Sequence, residues 1–181
     1  MTKFAIAGGH SKKAPGASSY INEYRQDRKV TKYLLAELRR RGHTAVDCSN
    51  EEATASDELA RECSRANNSG ADYFVATHFN AASKTKEPRG VEVWYYDGSA
   101  VGKKMATAIA KKLSATLGLP NRGAKPTRSL YVLKHTDMPA VLVEVCFVDS
   151  RADNAAYRKA GAKKVAAAIA DGLEAATGKA S

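Results

Sequence analysis

Cysteine is scarce in this chain and poorly spaced for its common structural uses. Three occur in 181 residues, Cys48, Cys63 and Cys146, and they lie far apart. Without a CxxC pair, neither a thiolate zinc site nor a disulfide framework is indicated. Cys146 sits in an apolar run and reads as a core residue. Aromatic residues are only 7%, too few for the stacking platforms that bind single-stranded nucleic acid. No run approaches the ~20 apolar residues that a membrane span requires. The first residues are already strand-like by Lys3, and Gly8-Gly9 interrupt them, which leaves no room for a signal peptide. The expectation is a protein made in the cytoplasm, or one that has lost its leader. No internal repeat is visible, and low complexity is limited to alanine enrichment in the last helix.

What the chain has in excess is positive charge. It carries 29 Lys and Arg against 19 Asp and Glu, a formal net charge of +10. Such an excess implies an anionic partner: nucleic acid, an acidic polymer or a membrane surface. The basic residues are spread along helix faces, with local density at Arg39-Arg40-Arg41, Lys103-Lys104 and Lys111-Lys112. A further group, Arg122, Lys125 and Arg128, falls in a Gly- and Pro-containing stretch. With 44% hydrophobic residues, the length suits one domain with a substantial core.

Alternating patterns organise the rest. Tyr73-Phe74-Val75-Ala76-Thr77 is a mostly apolar run of the kind buried on both faces of a parallel sheet, and His78 stands where it ends. Lys3–Ala7 is a shorter strand that runs into Gly8-Gly9-His10. Ala140–Phe147 is the most apolar run, with Glu144 in its middle. Thr44–Cys48 and Val91–Tyr96 are further strands, and Leu130–Leu133 reads as a short one after a loop over 121–129. Helices are expected over about 22–41, 57–68 and from Ser99 to about Leu117, each with apolar residues at helical spacing. A last helical region runs to about Ala176 and is broken at Gly161. The pattern predicts a single α/β domain over residues 1–176, with a twisted, mostly parallel sheet of about six strands flanked by helices on both faces. Residues 177–181 read as a tail or the start of a linker.

Ligands of open α/β sheets bind at the carboxyl edge of the strands. Two histidines, His10 and His78, follow strands there. A catalytic zinc site takes three protein ligands and leaves one position for water, and two histidines with a carboxylate are a common set. Glu23, at the start of the first long helix, and Glu144, within its apolar strand, are the two candidate carboxylates. Residue spacing does not decide which binds metal and which moves protons. A buried carboxylate without a partner costs several kcal/mol or more, so Glu144 needs a function or a cation. His43 follows a helix-ending Gly42 and reads as a surface residue. His135 reads as part of a loop before the Glu144 strand.

Several stretches then resemble a known family. Gly-Gly-His at 8–10, Glu23, Ala-Asp-Tyr-Phe-Val-Ala-Thr-His-Phe-Asn-Ala at 71–81, Gly-Val-Glu-Val-Trp-Tyr at 90–95, Arg-Gly-Ala-Lys at 122–125 with Leu-Tyr-Val-Leu at 130–133, and Met-Pro-Ala-Val-Leu-Val-Glu at 138–144 occur in that order. Together they resemble the zinc-dependent N-acetylmuramoyl-L-alanine amidases of the amidase-3 type, found in bacterial autolysins and phage endolysins. The resemblance spans about residues 3–173. It implies one zinc ion per chain on His10, Glu23 and His78, with Glu144 as the catalytic acid/base. It also implies peptidoglycan as substrate, cleaved between N-acetylmuramic acid and L-alanine at the bacterial cell wall, and gives the +10 charge an anionic wall polymer as partner. No nucleic-acid or membrane partner is expected, and a monomer is the expected state. The one departure is Ser11-Lys12-Lys13, where many members carry small residues and an acid.

Overall fold

The computed structural model describes residues 1–51 and 54–178. Among them run β1 (Lys3–Gly8), α1 (Glu23–Arg40), β2 (Thr44–Asp47), α2 (Ala55–Ser69), β3 (Tyr73–Asn80), β4 (Val91–Tyr96), α3 (Ala100–Leu117), β5 (Asn121–Thr127), α4 (Tyr131–His135), β6 (Ala140–Phe147), α5 (Arg151–Ala160) and α6 (Ala162–Thr177). The strands form one sheet in the order β2-β1-β3-β6-β4-β5. From β2 to β6 the neighbours are parallel; β4 runs antiparallel to β6, and β5 parallel to β4.

Two apolar layers enclose the sheet. One is built from Val30, Leu34 and Leu38 of α1, Met105, Ile109 and Leu113 of α3, Ile169 and Leu173 of α6, and the odd-numbered residues Val75, Val141, Val143 and Val145 of the strands. The other holds Phe74, Ala76 and Leu142 from the opposite pleat, packed on Cys63 and Ala66 of α2 and on Val132 and Leu133 of α4. The period-2 alternation of each strand thus feeds two cores, which is why the central strands are apolar throughout. Glycine ends α2 and α3: Gly70 and Gly118 adopt the left-handed conformation, which costs an L-residue with a Cβ more than it costs glycine. Asn22 and Ser99 cap α1 and α3 by accepting from the backbone amides of Arg25 and Gly102.

Several expectations are corrected. Residues 121–127, read as a basic loop, are the edge strand β5, paired on one side only. Pro126 and Gly123 are tolerated there because an edge strand has one ladder to satisfy rather than two. Residues 130–133, read as a strand, belong instead to the entry and first turn of the short helix α4; its buried Val132 and Leu133 close the second core. His43 is not a surface residue: it is 5% exposed, packs edge-on against Phe4 at 5.2 Å, and its Nε2 lies 3.0 Å from Glu174 Oε1. His135, also read as loop, is the last residue of α4 and stacks on Tyr131. The expected tail begins beyond the helix: Thr177 still belongs to α6, Gly178 caps it, and residues 179–181 lie outside the described residues.

The chain passes from β1 outward to β2 and returns to β3 on the other side of β1. That reversal of strand order opens a crevice at the carboxyl ends of β1 and β3, where open α/β sheets bind ligands.

Candidate metal centre

His10 and His78 enter this crevice from adjacent strands, Gly8 standing opposite Thr77 in the register. His10 lies two residues beyond β1 and is the one non-glycine residue with positive φ, at 68°, among those described. This left-handed turn costs a side-chain-bearing residue free energy and is kept only where its surroundings fix it. The Arg28 guanidinium fixes it here, donating to the carbonyl oxygens of Gly8, His10 and Asn50. The two histidine rings meet edge to face with centroids 5.1 Å apart.

Glu23 joins them from the first turn of α1. Its Oε1 is 3.0 Å from His10 Nε2 and 3.3 Å from His78 Nδ1, and it accepts from the Phe79 amide at 3.2 Å. Its Oε2 accepts from the Ala17 amide at 2.8 Å. Burial penalises the charged form, but the hydrogen bonds and charges of the two histidines outweigh it and hold the Glu23 carboxyl well below its usual range. Burial likewise works against a protonated His10, yet the adjacent Glu23 raises that pKa above its ordinary value. His78 is more deeply enclosed, and burial lowers its pKa despite Glu23. Two glycines let these groups approach. A Cβ on Gly9 would lie 2.1 Å from the His78 ring, and one on Gly16 would lie 2.5 Å from Glu23 Oε2 and 2.6 Å from the His10 ring.

Sequence reasoning missed a fourth member. Asp27, one helical turn after Glu23, is fully buried, and neither carboxylate oxygen has a hydrogen-bond partner among the described residues. One ligand atom each from His10, Glu23, Asp27 and His78 lie within 4.8 Å of one another. The i, i+4 spacing of Glu23 and Asp27 places both on one face of a helix and could have pointed to the pair. Burial, with the charges of Glu23 and Glu144, raises the Asp27 pKa well above normal. Two imidazoles, a carboxylate and an orphaned buried carboxylate are a donor set that fits a divalent metal such as zinc.

Glu144 stands opposite His78 in the β3–β6 register. It is therefore at the same level of the sheet as His78 without joining the cluster of His10, Glu23, Asp27 and His78. Burial and the charges of Glu23 and Glu92 push its pKa well above normal. Its Oε2 is buried with no partner among the described residues. Beside it opens a cleft of about 240 Å³ lined by Asn80, Glu92, Trp94, Thr127, Ser129, Leu130 and Glu144. The arrangement offers what hydrolysis needs: a cation site next to a carboxyl whose proton affinity is tuned upward.

Comparison with known proteins gives this geometry its class. The sequence model of the Amidase_3 family, described as N-acetylmuramoyl-L-alanine amidase, matches residues 5–175. The chain belongs to that family. An uncharacterised protein of Clostridium perfringens strain 13 is 36% identical over 172 residues, 94% of this chain and 51% of that protein. The endolysin of Bacillus phage SPP1 is 32% identical over 162 residues, 85% of this chain and 58% of that one. Among solved structures, the catalytic domain of the CD27L endolysin is 30% identical with a TM-score of 0.85, covering 96% of this chain and 97% of that one. The N-acetylmuramoyl-L-alanine amidase AmiC2 of Nostoc punctiforme is 29% identical with a TM-score of 0.83, covering 95% and 94%. The chain spans about half the length of the first curated relatives it matches.

Proposed function

We propose that residues 1–176 form a zinc-dependent peptidoglycan amidase domain that cleaves the bond between N-acetylmuramic acid and the L-alanine of the stem peptide. One observation carries this reading. Glu144, with its raised proton affinity and unpartnered oxygen, lies in register beside His78, which converges with His10 and Glu23 in the crevice. Family membership supports the substrate.

His10, Glu23 and His78 would hold one zinc ion, with Asp27 in the same cluster of potential donor atoms. Zinc in such a site supplies Lewis-acid polarisation of the scissile carbonyl and makes water a nucleophile near neutral pH. Glu144 does the proton work. It takes a proton from the attacking water as the C–O bond forms, and gives it to the amide nitrogen as the C–N bond breaks. The products are the free lactyl carboxylate of the muramic acid and a stem peptide with a free L-alanine amino terminus. The Phe79 and Ala17 amides hold Glu23 in a single orientation, and Arg28 holds the His10 turn, so the ligands are positioned before substrate arrives.

The domain acts as a monomer at the bacterial cell wall. Its charge of +10 favours contact with anionic wall polymers rather than entering the chemistry. Digestion of purified peptidoglycan followed by mass spectrometry tests the function. Release of peptides with new amino-terminal L-alanine, and glycan strands with intact N-acetylmuramic acid, is the expected result. New termini elsewhere in the stem peptide or in the cross-bridge would make the domain a peptidase of the same architecture.

A further inference from the structure

The cleft beside Glu144 has a chemical character of its own. Its lining contains two carboxylates, Glu92 and Glu144, and no lysine or arginine. The adjoining guanidinium is already committed: Arg122 Nε donates to Glu92 Oε2 at 2.6 Å, and Asn80 Nδ2 donates to Glu92 Oε1 at 2.7 Å. Lys125 stands opposite Trp94 in the β4–β5 register but outside the lining. The remaining wall is the half-buried indole of Trp94, the side chain of Leu130, and the hydroxyls of Thr127 and Ser129, 2.9 Å apart. An acidic peptide entering such a cleft would find no cation in its lining to pair with, the adjoining guanidinium being held by Glu92, and would pay its desolvation uncompensated. A neutral polyol with an apolar face meets none of that cost. It can lay its C–H face on the indole and exchange hydrogen bonds with hydroxyls and carboxylates. At about 240 Å³ the space falls just under the ~300 Å³ at which pockets for drug-sized ligands begin, which suits one pyranose ring rather than several peptide residues.

We propose that this cleft is the saccharide subsite, holding the N-acetylmuramoyl ring against Trp94, so that the stem peptide leaves on the opposite side of Glu144. The assignment rests on the amidase reading above. Trp94 is the one tryptophan of the chain, so intrinsic fluorescence reports on the cleft directly. Titration of the full domain with soluble N-acetylglucosaminyl-N-acetylmuramoyl amide should change the Trp94 emission, and the free stem tetrapeptide should leave it unchanged. In turnover, two soluble substrates are compared: a disaccharide-peptide, and a lactoyl-peptide that lacks the sugar. Trp94→Ala should lower kcat/KM for the disaccharide-peptide by about 10-fold, the size expected for losing one aromatic face, chiefly through KM, and affect the lactoyl-peptide far less. Trp94→Phe, which keeps an aromatic face, should recover most of the loss and guards against misfolding of the alanine variant. Emission that responds to the tetrapeptide and not to the saccharide would overturn the assignment, as would equal losses on both substrates. Saccharide binding without cleavage of either substrate would instead overturn the amidase reading and leave the subsite standing.

Discussion

The two sides of β6 differ in kind. On one side, β2, β1 and β3 run parallel, β1 and β3 are buried on both faces, and their carboxyl edge carries His10 and His78, which Glu23 joins from α1. On the other, β4 turns antiparallel and β5 closes the sheet as a more exposed edge, with Trp94, Thr127 and Ser129 around a cleft. On the first side the Glu23 carboxylate is held by the Ala17 and Phe79 amides and the His10 turn by Arg28. The second is open and lined with hydroxyls. β6 joins them, and its Glu144 stands opposite His78 in the register while lining the cleft. Under the proposed function one half would hold the ion and the other the substrate, with Glu144 as proton carrier on the seam.

This division can be broken experimentally, beginning where the largest effect is expected. His78→Ala should remove both bound zinc and activity, measured by elemental analysis and by release of amino-terminal alanine. Full zinc retention would take His78 out of the ligand set. Arg28→Met keeps the aliphatic stem but no donor, and should weaken zinc affinity by about 10-fold, as loss of a group that orients a metal ligand typically does. Competition with a chelator checks this, and a loss of thermal stability with unchanged zinc affinity would reduce Arg28 to a purely structural role.

A smaller effect concerns pH. Glu62 is 1% exposed, and burial, with Glu58, pushes its pKa up to about 8. The folded state then holds a proton that the unfolded state loses near the ordinary carboxylate value. Stability is therefore greatest below about pH 4.5 on this account and falls as pH rises towards 8. Glu62→Gln should raise the melting temperature at pH 8 and give little gain at pH 5; an equal gain at both would remove ionisation as the cause. The smallest effect belongs to the surface charge. Lys103, Lys104, Lys111 and Lys112 lie on α3, away from the metal cluster. Salt should loosen binding to intact walls by screening over about 10 Å or less, with turnover of a soluble muropeptide nearly unchanged. Equal sensitivity of both would contradict the separation.

The same division governs what was legible in the sequence. Runs such as 73–77 and 140–147 announce themselves because a strand buried on both faces must be apolar throughout. The histidines and Glu144 stand out as polar residues at the ends or in the middle of such runs. β5 carries Gly123, Lys125 and Pro126 because an edge strand has only one ladder to satisfy, and so its composition is that of a loop. α4 is too short for helical periodicity to separate Leu130–Leu133 from a strand. His43 was misjudged because its burial depends on Phe4 and Glu174, residues distant in sequence. Asp27 was visible in principle as the residue one turn after Glu23, but its complete burial is a consequence of how α1 lies over β1 and β3.

The central claim is that the ligand and proton-carrying roles reside on different carboxylates. Zinc content measured alongside hydrolysis rate in Glu144→Gln and Glu23→Ala tests it most directly. Glu144→Gln keeps the shape but cannot accept a proton, so it should retain zinc and fold while losing about 100-fold or more in rate, the scale of general acid–base catalysis. Glu23→Ala should lose zinc affinity, with activity partly restored by excess metal. A Glu144→Gln protein that is free of metal, or that turns over near the parent rate, would contradict the account.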